Sequence, residues 1–158
     1  MTGGDTSRRL TNLMTPNQIA AVQTSWEAIA PRAEAIATTF FSRLFANDQR
    51  VAAHFDRIDL QSHRTQFIAA LDQLVESLDD PDHLVAIAGA FGRRHTGYHA
   101  EERHFDSFRE ALLEVLEPAL GPRFTPELRS AWTEAYALVA SLMLRAMRHE
   151  AAASANTH

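Results

Sequence analysis

The chain has 158 residues, 46% apolar and 22% charged, which suits one globular domain that buries roughly 70% of its unfolded surface and can enclose a sizeable cofactor. Twenty acidic against fifteen basic residues give a net charge of −5, so a basic face for nucleic acid is not expected. Every basic residue is Arg and Cys is absent, which excludes Schiff-base and P-loop lysines, disulfides, thiolate metal sites and Fe–S clusters, and leaves any metal to His or carboxylate.

Residues 1–14 read as a loosely packed N-terminal extension, because Ser7-Arg8-Arg9-Leu10 lacks the apolar run that an export signal requires. Helical signals then dominate. Thr15-Pro16-Asn17-Gln18 places a capping Thr before a first-turn Pro with Gln at the capping-box position, and Ile19, Val22, Trp26 and Ile29 follow up to Pro31. A second helix runs from about Arg32 to Ala46, with Ile36, Phe40, Phe41, Leu44 and Phe45 as its apolar stripe. A short third piece spans Asp48 to about Phe55, and Asp56 to Ser62 is a polar connection.

The fourth helix carries Phe67, Leu71, Leu74 and Leu78 and breaks at Asp79-Asp80-Pro81. The fifth carries Leu84, Ile87, Ala88, Phe91 and His95 and stops around Gly97. A sixth, with Phe105, Phe108, Leu112, Leu116 and Leu120, ends at Gly121-Pro122. The seventh opens at Thr125-Pro126-Glu127 and carries Leu128, Trp132, Tyr136, Val139, Met143 and Met147. The expected organisation is one all-α domain over 15–149 and a frayed tail over 150–158. The longest nearly apolar run, Ala135 to Leu144, is far too short for a membrane span, so a soluble, cytoplasmic protein is expected.

Function must come from the histidines. His54, His83, His149 and His158 fall at helix ends or in the tail and receive no role. His63 and His95 each share a helical face with a Phe one turn away, Phe67 and Phe91, and a polar ring on such a face needs a partner. Each alone is more often a hydrogen-bonded or boundary residue than a ligand. Two helices separated by a Pro-containing break can, however, aim both rings at one flat object. A haem is such an object, with a histidine for its iron, aromatic lining and Arg for its propionates. Phe41, Phe55, Phe67, Phe91, Phe105 and Phe108 are available as lining, and Arg64 and Arg94 for the propionates. A zinc-type site from His95, His99 and His104 with Glu101 or Glu102 is the competing arrangement. Gly97 weakens the helix it needs, and no H-E-x-x-H motif is present.

Phe40-Phe41-Ser42-Arg43-Leu44-Phe45, Phe55, His63 to Phe67, Gly92-Arg93-Arg94-His95 and Ala131-Trp132-Thr133-Glu134-Ala135-Tyr136 occur in an order that resembles the globin family. The resemblance covers roughly Thr15 to Met147. It is greatest to bacterial single-domain globins and the globin part of flavohaemoglobins, and Phe124-Thr125-Pro126 through Tyr136 is similar to neuroglobin. It implies a three-over-three helical sandwich around haem b. His95 would be the proximal iron ligand and His63 the distal residue, either donating a hydrogen bond to a bound gas or itself binding the iron. Phe55 would wedge the haem at the corner before the distal helix. Phe41 would lie over the distal pocket with Phe67 one turn beyond His63, Phe91 would pack on the proximal face, and Phe105, Phe108 and Val139 would close the back.

Flavohaemoglobins pair a distal Tyr with Gln and set Tyr and Glu behind the proximal ligand; here the matching residues are Phe41, His63, Phe105 and Met147. No glycine-rich dinucleotide fingerprint occurs either. These departures argue against an autonomous nitric oxide dioxygenase. The expected function is reversible binding of oxygen, with nitric oxide and carbon monoxide as further ligands, for storage, transport or scavenging by a monomer or homodimer. Nitric oxide or nitrite turnover with an external reductase, and gas or redox sensing through a partner, are the alternatives.

Overall fold

Helices account for nearly all of the computed structural model, which describes residues 14–54, 59–96 and 102–156. Within these residues lie seven α-helices and no strand: α1 (Pro16–Ile29), α2 (Ala33–Asn47), α3 (Gln49–His54), α4 (Leu60–Glu76), α5 (Pro81–Thr96), α6 (Glu102–Leu120) and α7 (Pro126–Asn156). Short 3₁₀ turns at Ala30–Arg32, Ser77–Asp79 and Gly121–Arg123 make three of the corners.

The local chemistry of the boundaries accounts for this order. Thr15 Oγ1 accepts from the Gln18 amide at 3.1 Å, while the Thr15 amide donates to Gln18 Oε1 at 2.9 Å, so two amide donors at the start of α1 are satisfied reciprocally. Met14, expected to end a loose extension, is only 3% exposed and belongs to the core. It holds the position before the cap, where an apolar residue fixes the entry angle of the chain.

α4 starts earlier than its apolar spacing suggests. The Asp59 carboxylate accepts from the amides of Gln61 and Ser62, so the polar stretch expected to be a connection supplies both the cap and the first turn. α7 continues past Met147 to Asn156. Ala151, Ala152, Ala153 and Ala155 in this extension have the best intrinsic helix propensity.

The architecture is an all-α helical sandwich in which α5 lies along α7 and α2 along α6, with α1 bracing α7. Phe40, Ile29, Leu44, Leu84, Leu116 and Leu138 are wholly buried between the layers, each worth about 1.5–3 kcal/mol of transfer free energy. α5 and α7 meet backbone to backbone. A Cβ added to Gly92 would stand 2.5 Å from the Met143 carbonyl oxygen and 2.9 Å from its Cα, so hydrogen is the only side chain this crossing admits. Gly121, between α6 and α7, has φ +58° and nothing within 4 Å of its missing Cβ. None of the helices among the described residues is long and apolar enough to cross a membrane.

Candidate functional site

α4, α5, α6 and α7 leave a gap between them that their side chains do not fill. It is a cavity of about 180 Å³, measured as room for the centres of water-sized spheres, more than ten times the roughly 10–15 Å³ that one water needs. Phe67, Leu71 and Leu74 of α4 form one side, Phe91 of α5 and Phe105 and Phe108 of α6 the next, and Val139 and Met143 of α7 the last. The cavity therefore gathers Phe67, Phe91, Phe105, Phe108 and Val139, all proposed from the sequence.

The α2 contribution to the wall is Phe40, not its neighbour Phe41. Phe40 stacks on Phe67 with centroids 4.3 Å apart and planes 13° from parallel, while Phe41 meets Phe67 edge-on at 5.5 Å and leans towards Phe45. Successive helical residues point about 100° apart, so only one of two adjacent aromatics can face the gap. Phe41 is buried behind that wall, at 3% exposure.

His63 sits in the first turn of α4, half-buried, one turn before Phe67. It and the half-buried Arg64 lie outside the cavity wall. The backbone of His95 is the penultimate residue of α5, one turn beyond Phe91; its side chain and the whole of Phe55 lie outside the described residues. Arg94 is exposed, with its guanidinium carbon 5.6 Å from the centroid of the Phe91 ring, a cation–π contact beside the cavity. His99 and Glu101, and the side chains of Glu102 and His104, also lie outside the described residues. Among the described residues no group of three or more His, Asp or Glu side chains could hold a metal ion.

Two wall residues carry polar atoms that sequence reasoning passed over. The Tyr136 hydroxyl donates to the main-chain carbonyl of Phe105 at 2.5 Å. Burial pushes its ionisation well above the usual phenol range, against a smaller opposing pull from Arg109, while Asp106 adds to the rise. Trp132 donates its indole N–H to Ser25 Oγ at 2.9 Å, and Ser25 passes its own hydroxyl proton to the Val22 carbonyl at 2.9 Å. Both residues belong to the stretch that carries the family resemblance. Their partners lie 31 and 107 positions away in the chain, and no spacing rule connects them.

The wall therefore presents aromatic and aliphatic surface, and its two polar groups are already bonded to protein. A large apolar ring system fits this lining; a polar guest would lose its hydrogen bonds to water without replacement.

The comparisons agree with this chemistry. A profile of the globin family matches residues 38–143. Neuroglobin of Danio rerio is 28% identical over 137 residues, covering 78% of this chain and 86% of that protein. A flavohemoprotein of Deinococcus radiodurans is 26% identical over 134 residues, which span 84% of this chain and 33% of the relative. A crystal structure of a hexacoordinated heme protein from an anhydrobiotic tardigrade superposes with a TM-score of 0.77 at 16% identity, covering 85% of this chain and 96% of that one.

Proposed function

The chain belongs to the globin family, and on that premise we propose that it binds haem b in this cavity and takes up oxygen and other diatomic gases reversibly. The observation that carries the reading is the cavity itself: an aromatic, apolar gap bounded by the two helices that hold His63 and His95. Haem would supply a redox-active iron able to bind a small gas, and it would be held without thioether bonds because Cys is absent.

The chain's own residues have separable tasks in this reading. His95, near the end of α5, is the proximal iron ligand. Phe67, Phe91, Phe105 and Phe108 would hold the macrocycle by apolar contact and shield it from water. His63, at the start of α4, offers either an N–H donor or a displaceable second ligand. The family resemblance gives Phe55 the task of wedging the haem, and Arg64 and Arg94 would reach the propionates. Arg94 has only to leave the Phe91 ring to do so, and an exposed cation–π contact is worth about 0.5–1 kcal/mol.

A resting state in which His63 also binds the iron is the second reading. Its motivation is the pairing of His63 with Phe41 where flavohaemoglobins pair Gln with Tyr. Apparent gas affinity is then the intrinsic affinity multiplied by the fraction of time His63 is away.

The test is reconstitution with haem, followed by absorption spectra in the oxidised, reduced, oxygen-exposed and carbon monoxide-exposed forms. The expected result is one haem per chain, gas-dependent spectra in the reduced form, and loss of haem retention in His95→Ala. A chain that takes up no haem, or a His95→Ala variant with the parent spectrum, overturns the assignment.

A further inference from the structure

Both tryptophans of the chain stand in one edge-to-face pair, with Trp26 on α1 and Trp132 on α7, ring centroids 6.5 Å apart and planes at 69°. Trp132 is 2% exposed and forms part of the cavity wall; Trp26, 4% exposed, lies behind it. The two indole N–H groups have chemically different partners. Trp132 donates to the Ser25 hydroxyl, whereas Trp26 donates to Asp72 Oδ1 at 2.6 Å, and Asp72 is an exposed residue of α4.

That difference gives the pair a direction. Removing an electron from an indole makes its N–H strongly acidic, so the electron vacancy is most stable where a base can take the proton. A carboxylate is such a base and a serine hydroxyl is not. Tyr136 also faces the cavity, but its O–H is bonded to a peptide carbonyl, which cannot accept a proton outright. A vacancy created in the cavity is therefore drawn through Trp132 to Trp26 and held there, beside the exposed Asp72 carboxylate.

We propose that Trp132, Trp26 and Asp72 form a relay that carries oxidising equivalents out of the cavity to Trp26, beside the exposed Asp72, where a small one-electron donor of the ascorbate class docked at that carboxylate's surface quenches them. The proposal rests on the haem reading for the place where the vacancy arises. The oxidant is hydrogen peroxide, which takes two electrons from the haem protein and, with two protons, leaves as two waters. Trp132 replaces one of those electrons and Trp26 restores Trp132. The Trp26 Nε1 proton passes to Asp72 Oδ1, leaving a neutral indolyl radical beside a protonated carboxyl. The donor then returns one electron to Trp26, and Asp72 returns the proton. A second pass restores the second electron, so two donors are consumed per peroxide.

The experiment uses the haem-loaded chain, with uptake verified by absorption, frozen soon after addition of hydrogen peroxide and read by electron paramagnetic resonance. Parallel samples are digested and their oxidised residues mapped by mass spectrometry. A neutral indolyl signal is expected, with Trp26 more heavily oxidised than Trp132. Trp26→Phe should abolish that signal and shift oxidation several-fold towards Trp132 and other wall residues. Asp72→Asn, at an exposed position that the fold tolerates, should lower the neutral-radical signal several-fold. A signal centred on tyrosine, or one equal in the parent and in Asp72→Asn, overturns the relay. Haem uptake without an indole radical overturns the relay alone, whereas failure to take up haem overturns the haem reading with it.

Discussion

Tyr136 on α7 is tied through its hydroxyl to the main-chain carbonyl of Phe105 on α6, and the side chains of both residues line one cavity. The bond fixes the beginning of α6 to the last helix. Tyr136→Phe keeps the ring and removes the donor, leaving a carbonyl without its partner. The expected loss is about 1–2 kcal/mol of folding stability, measured as a lower urea midpoint with an unchanged slope.

The same hydroxyl makes stability fall at high pH. Burial raises the folded-state pKa of Tyr136 above the ordinary phenol value, which is roughly 10. Above that value the unfolded chain releases the proton while the folded chain retains it, so the unfolded state binds fewer protons and stability declines as pH rises. The contribution is whole below the unfolded-state pKa and is lost as pH climbs towards the raised folded one. Denaturation midpoints on either side of about pH 10 should show this decline in the parent and a shallower one in Tyr136→Phe.

Gly92→Ala should act on fold and site together. Its Cβ would meet the backbone of Met143 and then the Ala146 Cβ at 3.1 Å, and backbone cannot move aside as a side chain can. α5 must lift from α7, at an expected cost of about 1–3 kcal/mol. Because the substitution lies one turn before His95, haem retention should weaken as well. Thermal melting and haem titration check the two effects; a variant with parent values in both would show that the crossing is looser than described.

Phe40→Ala and Phe41→Ala distinguish the wall from its backing. Phe40 is 1% exposed, lines the cavity and stacks on Phe67, so its truncation should cost about 3–5 kcal/mol and enlarge the gap. Phe41→Ala should cost a comparable amount while leaving the wall continuous. In the haem-loaded protein, the Phe40 variant should therefore show the larger change in carbon monoxide rebinding kinetics.

His63→Leu separates the two distal roles. If His63 binds the iron at rest, the parent is low-spin in both oxidation states and the variant high-spin, with faster gas binding. A five-coordinate ferrous parent spectrum would leave His63 as a hydrogen-bond donor alone.

The helices were readable because their signals are local. The Thr15 cap, the break at Asp80-Pro81 and the Gly121-Pro122 stop each act within one turn of chain. Asp59 is local as well, but Asp56 and Ser62 in the same short stretch are equally good capping types, so a cap and a connection look alike there. Which of Phe40 and Phe41 faces the cavity was beyond reach, because both are large, apolar and adjacent, and a rotation of α2 by one residue exchanges them. The pairings Trp132–Ser25, Trp26–Asp72 and Tyr136–Phe105 are set by how whole helices cross. Periodicity along one helix carries no record of that.

Gly92 and Gly121 are both glycine, but for reasons that mirror-image chemistry can tell apart. At Gly121 the surroundings are empty and the backbone is left-handed, so the restriction is one of handedness. A D-alanine placed there by chemical ligation would find its preferred conformation and reduce the freedom of the unfolded chain, raising stability by about 0.4–1 kcal/mol. Gly92 is confined by the neighbouring backbone instead, and the right-handed helix around it penalises a D-residue in its own right. Inverting one stereocentre should therefore strengthen the corner before α7 and weaken the crossing beneath His95.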